Sequence, residues 1–171
     1  MTTHREVEVK VLEVETASLV ARLEALGAKK IFEGVMKVVS FKGLPKGVSL
    51  LRVRQEGEQT YLAVKRQQIR EGVRDVEEQS IIVDEFESTV RLLETIGFSV
   101  KRRYEKHRLS YRLRGVRFEF DTLYEEDIPT FLEIEGSSPE EVKEALSWLE
   151  IPDDRALAWT GKDVRRHYGK E

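Results

Sequence analysis

Charged and apolar residues alternate along many short stretches of this sequence, beginning with Glu6-Val7-Glu8-Val9-Lys10. Successive side chains of a β-strand point to opposite faces, so Glu6, Glu8 and Lys10 share one face and the valines share the other. The same alternation predicts eight strands, at residues 5–13, 36–42, 49–55, 60–67, 74–83, 101–112, 116–123 and 130–136. Such a chain is expected to fold as an antiparallel sheet with two chemically different faces.

Apolar residues recur at helical spacing in three segments, at residues 17–26, 85–96 and 139–149. Asp84 is predicted to cap the second of these helices, and Ser138 the third. A short polar helix is expected after Asp153. Each of the three segments carries one apolar stripe, so each needs an apolar surface to cover.

The 171 residues suit one domain, spanning 1–171, in an α+β protein. Although 36% of the residues are charged, the net charge is only −3, which gives no general attraction to nucleic acid or to a membrane. The absence of cysteine excludes disulfides and thiolate chemistry, and the three scattered histidines argue against a zinc site. No apolar run is long enough to cross a membrane, so a cytoplasmic protein is expected. The oligomeric state is left open by the sequence, and a homodimer is one of the alternatives.

The charged faces of the predicted strands often carry pairs of the same sign. The pairs are Arg52 and Arg54, Lys106 and Arg108, Glu119 and Asp121, and Glu133 and Glu135, and Lys65 stands on a strand of its own. On one strand, such a face indicates the solvent side of a sheet. Three features of the whole set favour a closed barrel instead: same-sign pairs, apolar helices that need a surface to cover, and strands enough for closure. The charged face then becomes the interior.

Charges inside a barrel must be paired or must hold ions. Arginine and lysine suit phosphate oxygens, and clustered carboxylates without His or Cys suit Mg²⁺ or Mn²⁺. The interior is therefore predicted to bind a metal-bound polyphosphate, with Glu6 and Glu8 near the cation and Lys10 near phosphate. A lipocalin-like barrel with an apolar lumen is the rival fold, but it would place the apolar stripes of the helices against charged faces.

In order along the chain, Glu6-x-Glu8-x-Lys10, "LRVR", a lysine-bearing strand, Lys-x-Arg, an Asp-ended strand and "LEIEG" resemble the CYTH family of triphosphate tunnel metalloenzymes. The resemblance covers nearly the whole chain, and its ordered set of elements is more specific than any one of them. It implies an eight-stranded antiparallel tunnel with a charged lumen and helices packed outside. It also implies a metal cofactor, Mg²⁺ or Mn²⁺.

The resemblance further implies a role for each motif residue. The implied phosphate ligands are Lys10, Arg52, Arg54, Lys65, Lys106 and Arg108, and the implied metal ligands are Glu6, Glu8, Asp121, Glu133 and Glu135. Lys10 and Asp121 are the implied catalytic residues, through activation of a water or orientation of the nucleophile.

Three departures from the family pattern bear on substrate choice. The second strand reads "KVVSF" and lacks the Asp and Tyr of many relatives. The fifth strand reads Glu77-Glu78-Gln79 where relatives often carry Glu-x-Glu, which leaves its register open. The C-terminal "TGKDVRRHYGKE" lacks the Ser-Tyr of many relatives.

Two reactions are compatible with the same site. The first interpretation is a class IV adenylyl cyclase, which converts ATP to cyclic AMP and pyrophosphate, because the short, single-domain chain resembles that branch of the family. The alternative is a triphosphatase acting on tripolyphosphate, thiamine triphosphate or a nucleoside triphosphate. A module that binds polyphosphate or nucleotide without turnover is a third interpretation.

Other features are interpreted as structural. His107 is predicted to face outward, and Trp148 and Trp159 to pack near the C-terminal helices. The basic run 101–103 is interpreted as a solvated strand end and the acidic run 125–127 as an exposed turn.

Overall fold

A computed structural model of the protein describes residues 2–70 and 73–170. The strands are β1 (Thr2–Val11), β2 (Lys29–Lys42), β3 (Leu50–Glu56), β4 (Gln59–Arg70), β5 (Val73–Val83), β6 (Ser99–Leu113), β7 (Val116–Leu123) and β8 (Ile128–Gly136). The helices are α1 (Thr16–Ala25), α2 (Phe86–Thr95), α3 (Pro139–Trp148) and α4 (Gly161–His167), with 3₁₀ turns at Tyr124–Glu126 and Asp153–Arg155.

The eight strands form a closed antiparallel barrel in the order β1-β5-β4-β3-β2-β6-β7-β8, which confirms the predicted fold. Closure depends on β1, which pairs with β5 on one side and with the last strand, β8, on the other. β2 begins at Lys29 rather than at residue 36, because it pairs with β6 from Lys29 opposite Arg112 onward. That early part of β2 is set by pairing with a neighbour rather than by alternation of its own residues.

Apolar side chains on the outer face of the barrel lie beneath the helices. Phe86 and Val90 of α2 pack with Val39 and Val53 of the barrel wall. On another side, α1 and α3 cover the valines of β1 and the outward-facing phenylalanines of β7. The helices therefore cover an apolar exterior and leave the charged faces inside, which excludes the lipocalin-like alternative.

The helix caps follow the sequence only in part. The hydroxyl of Ser138 accepts a hydrogen bond from the Glu141 amide, as predicted for the N-cap of α3. The predicted Asp84 cap of α2 is wrong, because Glu85 occupies the N-cap position and makes no side-chain cap bond. After Asp153 the chain forms a 3₁₀ turn and then α4, whose start is fixed by a capping box of Thr160 and Asp163.

The segment that leads into α4 is attached to the end of β1. Leu157 exchanges backbone hydrogen bonds with Lys10, both of 2.9 Å, and the Arg155 guanidinium donates to the Leu12 carbonyl at 2.5 Å. Arg165 of α4 donates to Glu126 at 2.9 Å, and Arg102 pairs with the same carboxylate at 2.5 Å. Glu126 is thus half-buried and anchors α4, so the expectation of a wholly exposed acidic turn is wrong at this residue.

None of the helices within residues 2–70 and 73–170 has the length and apolar character needed to cross a membrane.

Candidate active site

Two cavities lie inside the barrel and meet at its middle. The smaller, of about 200 Å³, opens beside Arg54, and the larger, of about 560 Å³, opens beneath α4. We call these openings the Arg54 mouth and the α4 mouth. Both cavities are lined by Arg52, Lys65, Arg108 and Glu133, which form the waist of the tunnel.

Strand β1 supplies three buried charges to the lumen, because its valines are held outward by the helices. The Lys65 ammonium donates to Glu6 at 2.8 Å, and the Arg74 guanidinium donates to Glu8. Lys10 donates to Glu133 of β8 and also lies 3.5 Å from Glu8. The three residues predicted to share a face therefore do share it.

Strands β3, β4 and β5 bring cations together around one carboxylate. Glu78 accepts from Arg52 at 3.1 Å and pairs with Lys65 at 2.9 Å. Although burial raises the pKa of Glu78, the charges of Arg52 and Lys65 lower it to about 2. Arg54 is held less closely, since its guanidinium lies 3.5 Å from Glu56 and stacks 4.9 Å from the centre of the Tyr61 ring.

Strands β6 and β7 form a second group of ion pairs because Arg108 lies directly opposite Asp121 in the sheet. Arg108 donates to both Asp121 oxygens at 2.7 Å, and Lys106 donates to one of them at 2.6 Å. Arg108 also contacts Glu119. Asp121 is 1% exposed, and its contacts make it the anchor of two cations.

Carboxylates of β1, β7 and β8 form two groups that share Glu135. The groups are Glu6, Glu8 and Glu135, and Glu119, Glu133 and Glu135, each with oxygens within 4.8 Å of one another. Burial, with the negative charges of Glu6 and Glu119, raises the pKa of Glu135 to about 8. The Oε2 atom of Glu8 is buried and has no hydrogen-bond partner among the described residues. Oxygen ligands crowded in this way, without His or Cys, suit a hard divalent cation.

The geometry of the tunnel thus combines cations suited to phosphate with carboxylates suited to a metal. The sequence profile of the CYTH domain matches residues 42–157. The chain belongs to the CYTH domain family.

Solved structures share the fold of this chain. A protein from Pyrococcus horikoshii OT3 is 27% identical, with a TM-score of 0.79 over 93% of this chain and 98% of that one. A putative adenylate cyclase from Vibrio parahaemolyticus is 14% identical, with a TM-score of 0.78 over 95% and 98% of the two chains. A putative adenylyl cyclase from Hippeastrum, with a dominant triphosphatase activity, is 21% identical, with a TM-score of 0.65 over 98% and 96%. The last two likenesses show the fold alone, and the search of curated proteins gave no match.

Every predicted site residue of this CYTH protein lies in the lumen. They come from β1, β3, β4, β6, β7 and β8, and each lines one or both cavities. Asp121 stands apart from both carboxylate groups because Lys106 and Arg108 hold it.

The charged residues that line the cavities include several with no role assigned from the sequence, among them Arg74, Glu78, Arg117 and Glu119. Arg117 and Glu119 share the inward face with Asp121, so alternation alone was enough to find them. The residues of β5 needed the strand pairing, which sets Arg74 opposite Glu8 and Val76 opposite Glu6. Glu78 therefore faces the lumen, and Gln79 faces outward and bonds to Glu77 at 3.2 Å.

The divergent second strand of this CYTH chain places no charge in the tunnel at its "KVVSF" segment. Ser40 lines the larger cavity, while Val39 and Phe41 pack beneath α2 on the outside. His107 lines neither cavity, and the two tryptophans pack near the C-terminal helices as predicted. Arg114 stacks on Trp148, and Trp159 packs against the cluster beneath α4.

Proposed function

We propose that this protein is a divalent-metal-dependent enzyme that binds a triphosphate in its tunnel and cleaves it there. The observation that supports this proposal is the waist, where Arg52, Lys65 and Arg108 converge beside the carboxylate of Glu133. Stability alone does not require a charged lumen, because apolar packing inside the barrel would be at least as stabilising as buried ion pairs.

The two carboxylate groups are the proposed metal ligands, with Glu135 shared between them and Mg²⁺ or Mn²⁺ as the ion. A bound divalent ion would offset negative charge on the phosphate oxygens and on the leaving group. Glu119 joins Glu6, Glu8, Glu133 and Glu135 in this set. Asp121 serves instead to position Lys106 and Arg108.

The cations of the lumen are proposed to change partners when substrate binds. Lys65 is held by Glu6, and Lys10 by Glu133, and both carboxylates belong to the metal-binding groups. If those carboxylates held a metal, Lys65 and Lys10 would lose these two partners, and phosphate oxygens would take their place in the charge pairing. Lys10, next to Glu133, is also the proposed residue for orienting or activating the nucleophile.

The leading reaction is that of an adenylyl cyclase. The 3′-hydroxyl oxygen of ATP forms a bond to the α-phosphorus, the bond from that phosphorus to the α,β-bridging oxygen breaks, and pyrophosphate leaves. The hydroxyl proton passes to a lumen base or to water. Arginine and lysine side chains around the waist stabilise the charge that develops on the leaving oxygen.

A triphosphatase is the second candidate. The similar protein from Hippeastrum has a dominant triphosphatase activity, which favours it. In that reaction a water oxygen attacks the terminal phosphorus, and orthophosphate leaves a diphosphate behind. The same cations and carboxylates would serve, so the products must decide between the two reactions.

Product analysis by ³¹P NMR tests both reactions. The protein is incubated with ATP, thiamine triphosphate or tripolyphosphate, each with Mg²⁺ or Mn²⁺. Cyclic AMP with pyrophosphate identifies a cyclase, and orthophosphate with a diphosphate identifies a triphosphatase. Binding without any product, as in a non-catalytic module, would contradict the proposal.

The Arg54→Ala variant tests whether the activity lies in the tunnel. It should lower turnover at least about tenfold, because a guanidinium that faces the phosphates contributes to stabilising transferred charge. Arg103→Ala is the matched control, since Arg103 is exposed and pairs with Glu87 on the outer surface at 2.6 Å. Equal rates for both variants and the wild type would exclude the tunnel as the active site.

A further inference from the structure

The last lumen residue of β1, Lys10, has a strand neighbour from the far end of the chain. The described pairing of β1 with β5 ends at Glu8, while β8 continues beside Lys10 and sets Glu133 opposite it. On the side where β5 no longer pairs, Lys10 forms an antiparallel bridge with Leu157. We call residues 155–159, which contain this bridge, the edge segment.

The bridge satisfies both backbone polar groups of Lys10. Its N–H donates to the Leu157 carbonyl, and its carbonyl accepts from the Leu157 N–H, each at 2.9 Å. Lys10 is 4% exposed, so little water reaches it. A buried backbone donor or acceptor without a partner is costly, and strand ends open easily unless they are held. The bridge therefore holds the backbone at the point where the Lys10 side chain enters the lumen.

The edge segment is itself held from two sides. Leu157 and Trp159 pack with the apolar cluster beneath α4. On the other side, the Arg155 guanidinium donates to the Leu12 carbonyl, just beyond the end of β1, at 2.5 Å. The segment is therefore a fixed neighbour of β1 and can transmit its own position to that strand.

A second contact leads from the edge segment to the carboxylates around Lys10. The Trp159 carbonyl accepts from Arg74 at 3.4 Å, and Arg74 donates to Glu8. The Lys10 ammonium donates to Glu133 and lies 3.5 Å from Glu8. The edge segment thus touches Lys10 through its backbone and, through Arg74, one of the two carboxylates beside its ammonium.

We propose that the edge segment positions Lys10 for the reaction, with Leu157 as a positioning residue that acts through the Lys10 backbone. This inference rests on the proposed function, which gives Lys10 its part in orienting or activating the nucleophile. Rates depend steeply on such geometry, and a displacement of about 1 Å can lower them up to about 100-fold. The edge segment then contributes to turnover without touching the substrate.

The Leu157→Pro variant removes the N–H that donates to Lys10. Ala156 already has the extended backbone that a residue before proline prefers, with φ −83° and ψ 114°. With Mg²⁺ and either ATP or tripolyphosphate, kcat should fall about tenfold and KM should stay within about twofold. Ala158→Pro is the matched control, because the bridge uses no atom of Ala158, and it should leave kcat within about twofold.

Two further variants cover the remaining explanations. Leu157→Ala keeps both hydrogen bonds and loses only packing, so its kcat should resemble that of the wild type. If melting shows that Leu157→Pro is not folded, Arg155→Gln replaces it, because it removes the bond to the Leu12 carbonyl from an exposed side chain. Its kcat should fall about threefold. A folded Leu157→Pro, or otherwise Arg155→Gln, with wild-type kcat would overturn the inference.

The Lys10→Met background separates positioning from general stability. If Leu157 acts through Lys10, Leu157→Pro should lower the remaining rate by less than about twofold in that background. A role in the stability of the whole fold would lower the rate by the same factor in both backgrounds, and that result would contradict the proposal.

The ammonium of Lys10 reports its position without any turnover. In protein labelled with ¹⁵N-lysine, a buried and paired ammonium gives its own resonance, and the Lys10→Met spectrum assigns it. Leu157→Pro should shift or broaden this resonance, and Ala158→Pro should leave it in place. An unchanged resonance in Leu157→Pro would overturn the inference whether or not the protein is active. A shifted resonance in a protein that turns over no triphosphate would refute the proposed function alone.

Discussion

The barrel has two buried regions of opposite chemistry, and the same strands build both. Phe118 is fully buried among apolar residues beneath the helices, and its neighbour Glu119 is 3% exposed among charges in the lumen. The apolar shell stabilises the fold because it removes hydrocarbon from water. The ion pairs of the lumen stabilise the fold no more than apolar packing of the same volume would. The difference teaches that the shell specifies the barrel and the lumen specifies what it does.

The largest effect is expected in the shell, from Phe118→Ala. The cavity left should lower the free energy of unfolding by about 3–5 kcal/mol. The melting temperature would then fall by roughly 10 °C for a domain of this size. Turnover per folded molecule should stay near the wild-type value at a temperature where both proteins are folded. A melting temperature unchanged within 2–3 °C, roughly the shift for 1 kcal/mol, would contradict the assigned role of the shell.

In the lumen, Glu133→Gln should have the opposite profile. The loss of one metal-binding oxygen charge should lower kcat about 100- to 1,000-fold, which corresponds to about 3–4 kcal/mol. The fold should persist because Lys10 keeps a second carboxylate, Glu8, at 3.5 Å. Initial rates and thermal melts measure the two effects on one preparation. Glu87→Gln, on the exposed outer surface, is the matched control and should leave both values unchanged.

Acid should weaken the lumen before the shell, and Glu78 gives the clearest case. Its pKa is about 2 in the folded protein against an ordinary value of 4.5, so the folded state binds fewer protons between these values. The contribution of Glu78 to stability is therefore complete above pH 4.5 and is lost as pH falls toward 2, by up to about 3 kcal/mol. Urea unfolding from pH 5 to pH 2.5 should show a shallower loss for Glu78→Gln. An equal slope in both proteins would remove Glu78 as the cause.

Ligands should stabilise the lumen only in combination. Mg²⁺ with a non-hydrolysable triphosphate at 100 times its dissociation constant should add about 2.7 kcal/mol to stability. Either component alone should add much less, because it would separate Lys65 from Glu6 and Lys10 from Glu133 while replacing the lost partner on only one side of each pair. Thermal melts with neither, each and both ligands measure the coupling. Additive shifts would refute the proposed exchange of partners.

Alternation of residue types was enough to predict the closed barrel, its outer helices and the inward direction of the assigned site residues. A period of two is a local property of each strand, so Glu6, Glu8 and Lys10 could be placed without knowing their neighbours. The register of β5 could not be found in this way. Arg74 and Glu78 follow from pairing with β1 and β4, which is a property of residues far apart in the chain.

The C-terminal region was harder to predict for the same reason. Glu126 lies in an acidic run that indicates a solvated turn, yet Arg102 and Arg165 converge on it from a distant strand and from α4. At Asp84, a suitable capping residue precedes α2, but Glu85 takes the cap position. The exact residue at which a helix begins depends on how the helix packs, and sequence preferences determine it only to within one or two residues.

The pairing of β1 with β8 also dictates when this fold can form during synthesis. β1 can pair with β8 only after residues 128–136 have emerged from the ribosome. Glu8 and Glu135, which lie opposite each other in this pair, are separated by nearly the whole chain. Loop-closure entropy makes such a contact slow to form. Until then the nascent chain carries an unpaired strand edge at each end of an open sheet. Closure of the barrel thus protects the folded protein from edge-to-edge association, and the chain is most prone to aggregate during its synthesis.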